Sequence, residues 1–311
     1  MNHSYHTLIK QNYSGIRNYG NTCYLSTLIQ ILIRLPLFHT NLIIENYNQY
    51  LSRTNIPNDM IEKNIKVFNE IIFIIQNYIK SGQFINPYPT NIIQLLSIVN
   101  NTFHNFNEQQ DTQEILTLIL DFCNHHILDP NCKNLFDNNF VTKIKKIIHC
   151  KHCEYKIDKE DTLLNLSLCN EDRDLINQGH KVEKLDDYKC DNCKNIGNIF
   201  KEEYIIKCPN ILFIYYPQYQ IFNNQYNYIG YLHQNIKIVE HNDNNANLIE
   251  YQLKMAVIRL SISNTHCGHY YINIYDNDSK KWIRCDDEII METNFDMNEY
   301  VNIRMYVYEK L

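Results

Sequence analysis

Three kinds of side chain in this sequence are spaced so that they can do chemistry. The first is Cys23, in the run Gly15-Ile16-Arg17-Asn18-Tyr19-Gly20-Asn21-Thr22-Cys23-Tyr24. A Gly-punctuated loop delivers this thiol to the first turn of a helix pattern. A helix N-terminus carries partial positive charge and favours thiolate over thiol. Backbone N–H groups there point outward, available to a developing oxyanion, and Asn18 can add a side-chain amide donor. The plain alternative is a buried small hydrophobe at position 23 with a turn residue at 18.

A thiol nucleophile needs a base to take its proton and return it to a leaving amine. Cys267-Gly268-His269-Tyr270-Tyr271 supplies one, with Gly268 turning the chain just before His269. Farther on comes Trp282-Ile283-Arg284-Cys285-Asp286-Asp287. Two strands joined by a tight turn near Asn277-Asp278 bring these segments side by side. Asp286 then accepts from the far nitrogen of His269, fixing its tautomer and stabilising the imidazolium. Read alone, His269 is a strand-edge histidine and Asp286-Asp287 a solvated turn. His266 competes for the role of base but lacks the Gly-before, Tyr-after setting.

The third group is metal-ligating. Cys150-Lys151-His152-Cys153 and Cys190-Asp191-Asn192-Cys193 are two Cys-x-x-Cys pairs. Each clamps one edge of a tetrahedral Zn²⁺, and four sulfurs close the coordination shell, so the zinc is expected to be structural. His149 and His152 stand by as substitutes.

Elements must position these groups. Leu25, Leu28, Ile29 and Leu32 repeat at helical spacing, so one buried face is expected, and Pro36 ends the helix. Helical patterns recur at about 61–80, at about 90–100 and from Asp111 through Phe122. From about residue 139 the chain reads as strands: 140–148, 162–168, 203–206, 211–216, 231–239, 251–262, 270–275 and 301–308. A helical first half and a sheet-rich second half make an α+β fold.

The 311 residues and 44% apolar content allow one sizeable core. A formal net charge of -6 does not suggest nucleic-acid binding. Eleven cysteines, an odd count with no apolar leader, argue for a reducing intracellular location, cytoplasm or nucleus. The apolar stretch Ile71 to Ile75 is far short of a membrane span.

The run GIRNYGNTCYLSTLIQILIRLP strongly resembles the Cys box of ubiquitin-specific proteases, roughly GLxNxGNTCYxNSxLQxLxxxP. The mild departures are Ile16, Ser26 and Thr27. GHYY with the downstream WIRCDD resembles the same family's His box, GHYxxY…WxxFDD. Gln109-Gln110-Asp111-Thr112-Gln113-Glu114-Ile115-Leu116 looks like its QQDAxEFL box. The resemblance covers about residues 14–309.

It implies a papain-like cysteine protease core with a helical thumb (about 14–135), zinc-tipped β fingers (about 140–210) and a β-sheet palm (about 211–311), after a lead-in of residues 1–13. It implies a Cys23-His269-Asp286 triad hydrolysing the bond after the C-terminal glycine of ubiquitin. Asn18 would serve the oxyanion, and Asp287 would be an auxiliary polar group beside it. Gln110, Asp111, Glu114 and Tyr270 would contact substrate, the two carboxylates pairing with tail arginines. Asp111 as an N-cap with Glu114 as its capping-box partner is an equally good reading.

A monomer acting on ubiquitin conjugates, without membrane or nucleic acid, is the expectation. Two departures bear on substrate choice. Cys208 to Tyr219 lacks the Arg-Phe ending of the family's LPxxLxIxLxRF pattern. Arg259-Leu260-Ser261-Ile262 stands where a tail-covering HxG element is usual. A protease for a ubiquitin-like modifier, a non-catalytic ubiquitin-binding module and a generic papain-like peptidase are the rival readings.

Overall fold

The computed structural model describes residues 8, 13–18, 20–39, 69, 71–77, 109–128, 132–167, 173–215, 234–242, 245–261, 268–294 and 302–311. Helix α1 (Cys23–Leu32) is followed by a 3-10 turn (Pro36–His39), α2 (Thr112–Phe122) with a π-helical turn (Cys123–Ile127), and α3 (Lys133–Phe140). Then come β1 (Thr142–Cys150), β2 (Lys156–Leu163), β3 (Leu166–Ser167), α4 (Arg173–Gln178), β4 (His180–Leu185), β5 (Ile199–Lys207), β6 (Ile211–Tyr215) and β7 (Asn235–Asn242). The chain ends with β8 (Asn245–Ser261), β9 (Gly268–Asp276), β10 (Lys281–Asp286), β11 (Ile289–Thr293) and β12 (Ile303–Lys310). The helical pattern at about 61–80 is helix at 71–77, and that at about 90–100 lies outside the described residues.

The chain divides into two compact units, residues 1–136 with 254–306, and 137–253 with 307–311. The first unit holds α1, α2 and an antiparallel meander of β9, β10 and β11 beside the second half of β8. Residues 277–280 form the turn between β9 and β10, so Asp276 faces Lys281 and Ile272 faces Cys285. The core of this unit includes Ile31 and Ile33 on or beside α1, Ile115 on α2 and Ile272 on β9, all fully buried.

Helix α1 departs from expectation. Its period predicts one buried stripe, yet all ten residues are buried, Ser26, Thr27 and Gln30 included. The helix packs on β9, β10 and α2. Burying polar groups without partners is costly, and Ser26 and Gln30 have theirs. Gln30 Nε2 donates to the Ser14 carbonyl at 2.9 Å, and its Oε1 accepts from Arg34 at 2.9 Å.

The second unit holds a four-stranded antiparallel sheet in the order β2-β1-β5-β4. Its strands are charged and only partly buried. Lys146 reaches Asp161 at 2.8 Å and Glu203 at 3.7 Å, and Lys201 reaches Glu183 at 3.7 Å. Cross-strand pairing of this kind suits half-solvated strands. The apolar packing at one end is small: Cys150, Cys190 and Ile199, with Ile148, Leu185 and Tyr188 against them. Elsewhere in this unit the first half of β8 pairs antiparallel with β7, and β3 runs parallel to β6.

Candidate active site and metal centre

The loop before α1 is held by one side chain. Asn18 Oδ1 accepts from Gly20 N at 2.9 Å, Thr22 N at 3.2 Å and Thr22 Oγ1 at 3.0 Å. Gly20 and Asn21 take positive φ, 94° and 53°, to make this tight entry. Thr22, the N-cap, makes no side-chain cap bond of its own. Cys23 is therefore the first helical residue, and only 2% exposed.

Two donors point at its sulfur. Gln109 Nε2 lies 3.0 Å from Cys23 Sγ, and Tyr270 N lies 3.3 Å away. The His269 ring lies close enough to the Cys23 side chain for the sulfur to bear on its protonation. The other face of that ring meets Asp286, with Nε2 2.5 Å from Oδ1. Nε2 being used this way, Nδ1 is the nitrogen left for the sulfur. The Asp286 bond, then the neighbouring Cys23 sulfur, raise the imidazole from its ordinary value to about 10.

Asp287 follows β10 in a left-handed conformation, φ 50°. Its backbone carbonyl accepts from Ile16 N at 2.8 Å, and its carboxylate accepts from Asn18 Nδ2 at 2.8 Å. Burial pushes its carboxyl up from the ordinary range. Gly15 must be glycine here, because a Cβ would stand 2.3 Å from the Glu288 carbonyl oxygen. A sulfur, an imidazole and a carboxylate thus stand in series, with N–H donors around the sulfur, the order that a nucleophile, a base and its orienting group require.

The family profile described as ubiquitin carboxyl-terminal hydrolase matches residues 14–308. The chain belongs to the ubiquitin carboxyl-terminal hydrolase family. That family is one of deubiquitinating cysteine hydrolases. The chain is 22% identical to "Probable ubiquitin carboxyl-terminal hydrolase 16" of Schizosaccharomyces pombe, over 96% of this chain and 67% of the relative. It is 22% identical to "Ubiquitin carboxyl-terminal hydrolase 25" of Arabidopsis thaliana, over 89% of this chain and 44% of the relative.

Among solved structures, the SAGA DUB module Ubp8/Sgf11/Sus1/Sgf73 bound to monoubiquitin matches with a TM-score of 0.68 at 17% identity, over 96% of this chain and 69% of that one. The same module bound to ubiquitin aldehyde matches with a TM-score of 0.65 at 18% identity. The fold is thus that of the ubiquitin carboxyl-terminal hydrolases of the ubiquitin-specific protease type, as the α+β, papain-like expectation had it.

Within this family fold the structure brings Cys23, His269, Asp286, Asn18, Asp287 and Tyr270 together. Tyr270 supplies a backbone N–H to the sulfur and buries its ring to 1% exposure. Asp111 caps α2, its carboxylate accepting from Gln113 N at 2.8 Å, while Glu114 is exposed on the first turn. Gln110 is half-buried just ahead of that cap. His266 lies outside the described residues. The residue missed by sequence reasoning is Gln109, whose neighbour Gln110 was singled out from the same box. Its local signals are its place as the first residue of that box and a polar side chain two positions before a helix cap.

The four cysteines of the second unit converge. Cys150 and Cys193 sulfurs are 3.7 Å apart, as are those of Cys153 and Cys190, and all four lie within 4.8 Å of one another. Zn–S bonds of ~2.3 Å in a tetrahedron set sulfurs ~3.8 Å apart, so the cluster fits that ion. Each pair ends in a left-handed residue, Glu154 (φ 57°) and Lys194 (φ 62°), which curls the backbone around the sulfurs. Cys150 N donates to Tyr155 O and Cys190 N to Asn195 O, matching turns on the two sides. His149 is occupied by Glu154, 2.9 Å away. Among the described residues no helix is long and apolar enough to cross a membrane.

Proposed function

We propose that this chain is a deubiquitinating cysteine protease that cleaves the peptide or isopeptide bond after the C-terminal glycine of ubiquitin. The observation that carries the reading is the series Cys23 Sγ, His269 and Asp286, with the carboxylate 2.5 Å from the ring. Cys23 as thiolate attacks the glycine carbonyl carbon. The resulting oxyanion is received by the Cys23 backbone N–H and by Asn18. An amide nitrogen has two hydrogens. One from Asn18 goes to Asp287, which leaves the other to turn toward substrate. In this reading Asp287 orients Asn18.

His269, carrying the proton, gives it to the departing lysine amine as the C–N bond breaks. A thioester remains on Cys23. His269, now neutral, takes a proton from water, whose oxygen attacks the thioester and frees ubiquitin with a carboxylate. Asp286 holds the ring in line through both halves. Asp111, Glu114, Gln110 and Tyr270 are proposed to line the path of the basic tail, Asp111 while still capping α2.

Cys150, Cys153, Cys190 and Cys193 would hold zinc. The ion would staple the end of a sheet whose apolar packing is small, and with four sulfurs it leaves no open position for chemistry. We keep the thumb, fingers and palm boundaries of the sequence reading, and action as a monomer inside the cell.

The test is incubation with ubiquitin carrying a C-terminal thiol-reactive group, beside a Cys23→Ala control. An adduct at Cys23 alone supports the reading. An adduct only with a ubiquitin-like probe would move the assignment to that modifier, which the unusual Arg259-Leu260 segment makes the second reading. No adduct from folded, zinc-loaded protein would favour a binding module.

A further inference from the structure

We propose that Gln109 is a catalytic residue of this site, holding an amide hydrogen on the Cys23 sulfur, and that Arg259 positions it. The inference rests on Cys23 being the nucleophile.

The orientation of the Gln109 amide is fixed by neighbours that have no choice of role. The Gly268 carbonyl can only accept, and Gln109 Nε2 lies 2.7 Å from it. A guanidinium can only donate, and Arg259 Nη2 lies 3.5 Å from Gln109 Oε1. With the amide set this way, Nε2 has one hydrogen for Gly268 and one for Cys23 Sγ, 3.0 Å away. An N–H donor stabilises S⁻ more than S–H, since the charged sulfur is the better acceptor. The amide is neutral, so it does this without competing for Asp286.

Arg259 is itself held. Its guanidinium lies over the Tyr270 ring, 5.5 Å from the centroid, on the residue whose N–H also faces the sulfur. Gly268 leaves the space. A Cβ there would stand 3.0 Å from Arg259 Nε and 3.1 Å from Gln109 Oε1. So β8, β9 and the residue ahead of α2 meet at one amide, and Arg259 belongs to the segment that departs from the family pattern.

The experiment is alkylation of Cys23 by iodoacetamide, read by mass spectrometry across pH 5 to 9, which needs no ubiquitin. The titratable and charged groups around the sulfur are His269 on β9, Asp286 and Asp287 at the end of β10, Tyr24 on α1 and Arg259 on β8. Gln109→Ala should slow alkylation at pH 7 by about tenfold and move the half-maximal pH upward. Gln109→Glu should do more, setting a carboxylate against the thiolate. Gln109→Met keeps the shape without the donor and should behave as Gln109→Ala, which separates the donor from packing if the alanine variant folds poorly.

Arg259→Ala should shift the profile in the same direction by less, and add nothing in a Gln109→Ala background. A Gln109→Met profile that overlays the wild type overturns the proposal. Additive effects of the two substitutions overturn the positioning role of Arg259. A wild-type Cys23 no more reactive than the buried Cys123 and Cys285 strikes the nucleophile reading itself, and the proposal with it.

Discussion

Asn18 and Asp287 stand near opposite ends of the chain, yet the Asn18 amide donates to the Asp287 carboxylate at 2.8 Å. The same Asn18 gives its carbonyl oxygen to Gly20 and Thr22. One side chain therefore shapes the loop before Cys23 and ties it to the residue after Asp286. Asn18→Ala should lower kcat on a ubiquitin substrate by on the order of 10²–10³-fold. Asp287→Ala should lower it in the same direction by less, because the amide survives without its guide. Steady-state kinetics check both, and an unchanged kcat in Asn18→Ala would remove it from the oxyanion role.

The proton on His269 sets a pH window. Its folded value, raised to about 10 mainly by Asp286, stands above the ~6.5 of an unfolded chain. The stabilisation from this pair is therefore fully present below about pH 6.5 and is lost as pH rises through about 10. Asp286→Asn removes the main cause and moves the imidazole back down. The urea-midpoint gap between wild type and Asp286→Asn should be widest near pH 6 and narrow toward pH 10. A gap that widens with pH would contradict this sign.

Zinc should be present and should matter to folding. Atomic emission should find about one ion per chain, since the four sulfurs form one closed site. Cys153→Ser should bind less and melt lower, and a chelator should lower the wild-type melting temperature toward it. Wild-type protein that melts identically with and without chelator would argue against a structural ion.

Gly268→Ala should destabilise by about 1–3 kcal/mol, because its Cβ would sit 2.8 Å from the Leu260 carbonyl oxygen and the strand backbone cannot easily yield. Gly20→Ala meets nothing within 4 Å and carries only the strain of φ 94°, so it should cost less. Urea midpoints of the two variants order the effects.

Much of the site was legible because its signals are local. The loop into Cys23, the turn before His269 and the two Cys-x-x-Cys pairs each announce themselves within a few residues. The expected hairpin that brings Asp286 beside His269 is present as β9 and β10. What was not legible depends on distant partners. Helical period shows one stripe of α1, while polar Gln30 is buried by a contact with Ser14, which lies in another segment. Most of β2 and all of β4 escaped because their charges hide the strand pattern, and cross-strand pairs such as Lys146 with Asp161 make sense of them only after pairing. Gln109 escaped because its partner Gly268 is 159 residues away.

The first compact unit is assembled from residues 1–136 and 254–306. A growing chain releases the Cys23 thiol early, and His269 and Asp286 only after everything between has been made. Until then the sulfur has neither imidazole nor the Tyr270 N–H beside it. Order of synthesis thus keeps the Cys23 thiol apart from the His269 imidazole, and a chain halted anywhere before residue 269 carries the first without the second.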